Sequence, residues 1–238
     1  MSAQLLVAQE HQVILHARNA QRAKDARQAL PQADAVLIGD VTTIAGAKSV
    51  AEQTNALGRF DAVIHNVAVG YQEPRRIETA DGLPEVFAAN TLAPYILTTL
   101  IERPARLVYL SSGLHRGASA NLDDVAWVKR RWNGSAAYSE SKLHDVLLAF
   151  GIARRWPEVF SNAVEPGWVA TRMGGKNAPD DLDQAHRTQV WLAAGDAKVT
   201  AGYFYHLQPA SVNVESTSEA LRDQLFEICE KLSGVKLP

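Results

Sequence analysis

A doubly wound α/β fold, with a mostly parallel sheet flanked by helices on both faces, is what the sequence predicts, built as one domain over residues 1–238. Three observations carry this expectation. Short apolar runs alternate with stretches of helical periodicity, the pattern of strands buried on both sides between crossover helices. The helical stretches open on capping residues and close near Gly or Pro. Composition is that of an ordinary globular chain, 47% hydrophobic and 21% charged with a net charge of −2, and no repeat or low-complexity tract divides it. A chain of this length can bury roughly three quarters of its unfolded surface.

Taken in order, residues 1–10 read as a helix with Leu5, Leu6 and Val7 on or near one apolar face. Residues 12–17 (QVILHA) form a strand. Asn19 is placed to cap the following helix, which runs to about Leu30 with Pro31 behind it. Residues 33–38 are the next strand, ending at Gly39-Asp40, and Thr42 or Thr43 starts a helix that reaches Leu57 before Gly58. Residues 60–65 give a third strand, 83–102 a long helix, and 105–110 an apolar strand ending in Ser111-Ser112-Gly113. The polar segment 114–134 follows, with Lys129-Arg130-Arg131 read as solvated surface. Ser135 caps a helix that carries Tyr138 and runs to Arg155, where Trp156-Pro157 breaks it. A strand over 159–164 leads into Glu165-Pro166-Gly167; residues 183–194 are helical, 203–206 a last strand and 218–232 a terminal helix.

Several classes of function are disfavoured. No basic excess points to a nucleic-acid partner. The apolar runs fall far short of the roughly 20 residues of a membrane span. Cys229 is the single cysteine, so no internal disulfide forms, and with no basic leader at residues 1–10 a reducing, cytoplasmic setting is expected. The seven histidines are scattered without HExxH or His/Cys spacing, so no metal site is expected.

In open α/β sheets, ligands bind beyond the carboxyl ends of the strands. The polar residues at those ends are Arg18, Asp40, Asn66, Ser112 and the Pro166-Gly167 turn. Tyr138 and Lys142 start the helix after Ser112, and their i, i+4 spacing puts them on one face. An ammonium beside a phenol favours the phenolate, lowering its pKa from about 10. Such a tyrosine exchanges a proton with an alcohol or carbonyl oxygen near neutral pH. The pair alone arises by chance in roughly a third of chains this size, and then reads as the surface of an amphipathic helix. The strand-end residues around it make the active-site reading the stronger one.

With Ser111-Ser112-Gly113, YSESK over 138–142 and Pro166-Gly167-Trp168-Val169-Ala170-Thr171 in this order, and Asn90-Thr91 on the preceding helix, the sequence resembles the short-chain dehydrogenase/reductase family over nearly its whole length. The long Ser-to-Tyr interval with Leu114-His115 resembles the retinol-dehydrogenase-like branch. The segment SNAVEPGWVATRMGG (161–175), with Asp180-Asp181-Leu182 and residues 189–192 after it, resembles bacterial daunorubicin C-13 ketoreductases. The resemblance implies a Rossmann-like fold and an NAD(P)-dependent oxidoreductase that interconverts a small-molecule carbonyl and an alcohol. It implies that Tyr138 is the general acid in reduction and the base in oxidation. Lys142 would lower the tyrosine pKa and hydrogen-bond the nicotinamide ribose, Ser112 would donate to the substrate oxygen, and Asn90 would hold a water linking Lys142 to a proton relay.

For the cofactor, the resemblance assigns Asp40 and Val41 to the adenine, Asn66 and Ala68 to the loop after the third strand, and Pro166, Val169 and Thr171 to the nicotinamide amide and pyrophosphate. His65 and Val67 depart from the family's Asn-Asn-Ala-Gly pattern in that loop. The strand ending in His16-Ala17-Arg18-Asn19 carries no acid for a ribose 2′-hydroxyl and one guanidinium suited to a 2′-phosphate, so NADP(H) is expected over NAD(H). His115 either lines the substrate cleft or packs its loop, and Trp168 is the tryptophan expected to touch substrate. A homo-oligomer paired through the long helices is compatible with the resemblance.

The family opens with a strand, a Thr-Gly-x-x-x-Gly-x-Gly turn and a helix, and this sequence has no such motif. Residues 1–10 correspond to the second half of that helix. The first, central strand is therefore expected to be missing, leaving two half-sheets with a gap between them. The chain is expected to be a shortened form that binds NADPH poorly. Its working version would carry about 15 to 20 further N-terminal residues. The alternative is a relative that kept the fold but lost catalysis or its grip on the dinucleotide.

Overall fold

In the computed structural model, which describes residues 1–171 and 173–238, the elements follow the predicted alternation. They are α1 (Ser2–Ala8), β1 (Ile14–Ala17), α2 (Ala20–Ala29), β2 (Ala35–Ile38), α3 (Ile44–Asn55) and β3 (Ala62–His65). Next come α4 (Glu85–Phe87), a π-helical turn (Ala88–Leu92), α5 (Ala93–Leu100), β4 (Arg106–Leu110) and α6 (Gly134–Arg155). The chain closes with β5 (Phe160–Val164), α7 (Arg187–Ala194), β6 (Tyr203–Tyr205), β7 (Gln208–Pro209) and α8 (Glu219–Ser233). Side-chain capping fixes the starts of four of the eight described α-helices. Asn19, Thr43 and Ser218 each accept a backbone N–H of the first turn of α2, α3 and α8, satisfying a donor that has no partner within the helix. The cap of α6 is Asn133 rather than Ser135: its Oδ1 accepts the Ala136 N–H at 3.0 Å.

The sheet is broken where the sequence places a gap. β1 and β2 pair in parallel as one two-stranded sheet; β3, β4, β5 and β6 form a second parallel sheet, closed by antiparallel β7. Between β1 and β3 runs a cavity of about 1060 Å³ that continues to the carboxyl ends of the strands. Ile14 and Leu15 line it on one side and Ala62, Val63 and Ile64 on the other, with Met1 and, from α1, Leu6 also in its wall. α1 packs on α7.

Elsewhere the structure corrects the expectations. The helix of residues 83–102 is three segments, because the π turn widens the coil around Asn90. The helix of residues 183–194 begins only at Arg187. The last expected strand stops at Tyr205 because His206 and Leu207 both adopt positive φ and turn the chain into β7, the geometry of a two-residue hairpin. Arg130, expected in solvent, lies over the Trp127 ring at 3.9 Å and donates to Glu140 at 2.7 Å and Asp124 at 3.2 Å. Those two carboxylates are buried, and a buried carboxylate requires a partner. No helix among the described residues is long and apolar enough to cross a membrane.

The core is organised around α6, in which every residue except Ser135, Ala136, Ser139, Arg154 and Arg155 is buried. β4 and β5 pack against it along with α8. α8 approaches so closely that a Cβ at Gly151 would lie 2.5 Å from the Phe226 ring. His144 of α6 bonds the Ala120 carbonyl at 2.8 Å, and His65 of β3 bonds Thr98 at 2.9 Å. Burial holds both imidazoles neutral, pushing their pKa down to about 4 and about 3. The unfolded chain binds protons at both sites below about pH 6.5, so this stability is present above that pH and is lost as pH falls toward 4. Between pH 7 and 5 these two imidazoles should therefore pull Tm down in a circular-dichroism melt, against the opposite pull of the buried Asp145 carboxyl, whose raised pKa favours the folded state as pH falls. His144→Gln should flatten that dependence, and an unchanged slope would contradict the assignment.

Candidate active site

Tyr138 sits in the second turn of α6, and the start of that helix is held tightly. A Cβ at Gly134 would lie 2.3 Å from the Glu73 carbonyl oxygen, and Trp132 Nε1 donates to the same oxygen at 2.9 Å. Gly70, at φ +97°, lets the preceding loop pass close to the tyrosine; a Cβ there would lie 2.8 Å from Val86 and 3.5 Å from the Tyr138 ring. Tyr71 then meets Tyr138 edge to face with centroids 5.7 Å apart. Tyr138 is 8% exposed, and what it exposes faces the cavity.

The strand ends supply the rest of the wall. Ser112, just past β4, caps the short 3-10 turn Gly113–Gly117, its Oγ accepting the Leu114 N–H at 3.3 Å. Its neighbour Ser111 donates to the Lys142 carbonyl at 2.7 Å, tying β4 to α6. Asn66 follows β3, and Pro166, Val169 and Thr171 follow β5. These residues, with Val41 and Tyr138, line the same cavity. The loop after β5 is shaped by Asp180: its carboxylate accepts the Trp168 N–H at 2.5 Å beside Gly167, whose φ is +86°. An isolated bridge joins Val169 to Asp180. The link spans twelve residues and has no local signature.

Five of the sequence-predicted residues stand outside the cavity wall. Arg18 is exposed just past β1, and Asp40 is exposed past β2 with its carboxylate accepting from Thr42 at 2.7 Å. Ala68 is half-buried in the loop after β3. Asn90, fully buried in the π turn, accepts the Val69 N–H at 2.8 Å and donates to the Val69 carbonyl at 2.9 Å and Ser141 Oγ at 3.0 Å. Lys142 turns toward the sheet: its Nζ donates to the Leu110 carbonyl at 2.7 Å and to Asp145 at 2.8 Å. Of the two alternatives for His115, the structure shows loop packing. Its ring lies 4.6 Å from that of Tyr203, Nδ1 bonds the Ser112 carbonyl, and burial lowers its pKa. Trp168 is 55% exposed at the cavity edge. Arg116 and Glu165 pair beside Gly113, so the wall near Ser112 carries no net charge from them.

Residues 1–208 match the family model described as enoyl-(acyl carrier protein) reductase. An uncharacterized oxidoreductase of Emericella nidulans is 43% identical over 244 residues, spanning 100% of this chain and 93% of that protein. The short-chain dehydrogenase chyC of Penicillium rubens is 38% identical over 243 residues with the same coverage of both chains. In fold, the chain superposes on the crystal structure of an uncharacterized protein from Mycobacterium paratuberculosis with a TM-score of 0.81, at 22% identity over 100% of this chain and 91% of that one. The match extends from α1 through β6, taking in the strand ends and the Tyr138 helix. The chain is thus an enzyme of the short-chain dehydrogenase/reductase family.

Proposed function

We propose that this oxidoreductase interconverts a carbonyl with a secondary or primary alcohol, using NADP(H), with Tyr138 exchanging the proton. One observation carries the reading: Tyr138 shares a single cavity with Ser112 and with the loops after β3 and β5. Together these surround the place where an open α/β sheet binds its ligand. The side chains that line the cavity suit the nicotinamide end of a dinucleotide, while Arg18 and Asp40 stand at the strand ends outside its wall and the family's glycine-rich turn is not in this sequence. Asn66, Pro166, Val169 and Thr171 would hold the nicotinamide side, Val41 and Asp40 the adenine, and Arg18 a 2′-phosphate, with no carboxylate at that strand end to compete. When bound, that group supplies or takes up the hydride.

The chain's own groups handle the oxygen and its proton. Ser112 Oγ donates to the substrate oxygen and stabilises the charge that develops on it. Tyr138 gives its phenolic proton to that oxygen in reduction and takes the alcohol proton in oxidation. Lys142, whose Nζ is 5.6 Å from the Tyr138 ring centroid, favours the phenolate by its charge. Asn90 keeps the parts in register by joining Val69 to Ser141. Leu114, Trp168, Met173 and Leu182 give the cavity an apolar wall suited to a bulky ketone.

Tyr138→Phe should lower kcat by about 10²-fold or more in a carbonyl-reduction assay while leaving the fold intact; retained turnover would sink the assignment. Arg18→Ala should raise the KM for NADPH far more than that for NADH. Equal increases for the two cofactors would remove Arg18 from the 2′-phosphate site.

A further inference from the structure

We propose that Asp145 is a positioning residue of the proton-transfer site: its carboxylate holds the Lys142 ammonium beneath Tyr138 and takes up part of the field that this cation exerts on the phenol. The inference rests on the acid–base role of Tyr138 proposed above and adds a member that the family motifs do not include.

The geometry begins with helical spacing. Residues 138, 142 and 145 stand at i, i+4 and i+7, so they share one face of α6. Lys142 Nζ lies 2.8 Å from Asp145 Oδ2 and 2.7 Å from the Leu110 carbonyl oxygen. Two of the three ammonium protons are thereby engaged on the side of β4. The Lys142 and Asp145 side chains are 2% and 3% exposed, so water and salt screen them little. An ammonium with its counter-ion at hydrogen-bond distance presents a weaker field to a third group than a lone ammonium does. The carboxylate also acts directly against the phenolate, as any nearby like charge would. Both effects have one sign: the Asp145 charge opposes the Lys142 field at the phenol.

The surrounding groups leave that balance to the pair. Asp145 faces Lys142 on its own helix and Tyr109 on β4, and burial together with the Asp145 charge raises the pKa of the Tyr109 phenol. Tyr138 faces Lys142 on its own helix and Tyr71 from the loop after β3, and it shares the cavity with Arg116 and Glu165, which are paired to each other. Burial pushes the Asp145 carboxyl up to about 7 against the pull of Lys142. Above that pH the carboxylate divides the lysine field.

The test is the pH dependence of kcat/KM for alcohol oxidation with NADP⁺, over a panel of primary and secondary alcohols, in the wild type and in Asp145→Asn. The variant should move the acid limb to lower pH by about one unit, because the amide still accepts from Lys142 but carries no charge. Asp145→Glu, which keeps the charge, should retain the wild-type midpoint. It serves as the second reading if the asparagine variant does not fold, and a displaced midpoint in it overturns the inference. Turnover that requires Tyr138 but gives an unmoved Asp145→Asn profile overturns the inference alone. Turnover that survives Tyr138→Phe overturns the acid–base reading and this inference with it.

Discussion

The burial of α6 is the constraint on which the rest depends. A helix this enclosed can keep polar side chains only where other elements bring partners to them, since an unpartnered polar group in the interior costs on the order of 1–3 kcal/mol. α6 carries Glu140, Ser141, Lys142, His144 and Asp145 inside the protein. Their partners come from everywhere around it: Arg130 and Asn121 from the segment before the helix, Asn90 from the π turn, Leu110 from β4 and Ala120 from the loop after it. Lys142 and Asp145 of the proposed proton-transfer site belong to this inventory, and Tyr138 stands one turn before Lys142 on the same helix. The reactive part of the molecule is thus continuous with its core, and its geometry is held by the same contacts that hold the fold.

What could be read in the sequence was what is written locally. The cap at Asn19, a helix start at Thr42 or Thr43 and apolar strand runs each depend on neighbours within a few positions; the structure places the Asn19 cap as expected and resolves the second start to Thr43. The shared cavity of Val41, Asn66, Ser112, Tyr138, Pro166, Val169 and Thr171 follows from strand order, which the alternation of elements implies. The features that escaped depend on distant partners. Arg130 leaves solvent because Asp124 and Glu140 converge on it, and His115 turns inward to Tyr203 and Asn213. The positive φ of His206 and Leu207 has no residue signature, as neither is Gly or Asn. Spacing fixes which face Lys142 leaves from, but not where an ammonium at the end of four methylenes comes to rest. Acceptors on β4 and α6 decide that.

The break between β1 and β3 joins what would otherwise be two separate spaces. The apolar slot between the half-sheets and the polar pocket at the strand ends form one continuous cavity, with His16 and His65 along its length. Covalent connection and helix packing, rather than a continuous ladder of hydrogen bonds, hold β1–β2 to the larger sheet. α1 on α7 and α3 on α5 bridge the two parts. Relative movement of the half-sheets is therefore resisted by side-chain packing, which deforms more readily than a paired backbone.

The π turn at Ala88–Leu92 also sets a rule about chain length. A π turn accommodates one more residue than the α-helical turn it replaces, and each α-helical residue advances the phase by about 100°. Deleting a single residue from this turn would regularise the helix from Glu85 to Leu100, yet it would swing one flank against the other by that angle. Asn90 would leave Val69 and Ser141, or else Tyr95 would leave the Val235 carbonyl that it bonds at 2.8 Å near the C-terminus. The two ends of the helix are thus indexed to different partners, and the extra residue is what lets one continuous helix satisfy both. A shortening that looks harmless in helix propensity would be read by the fold as a frame error.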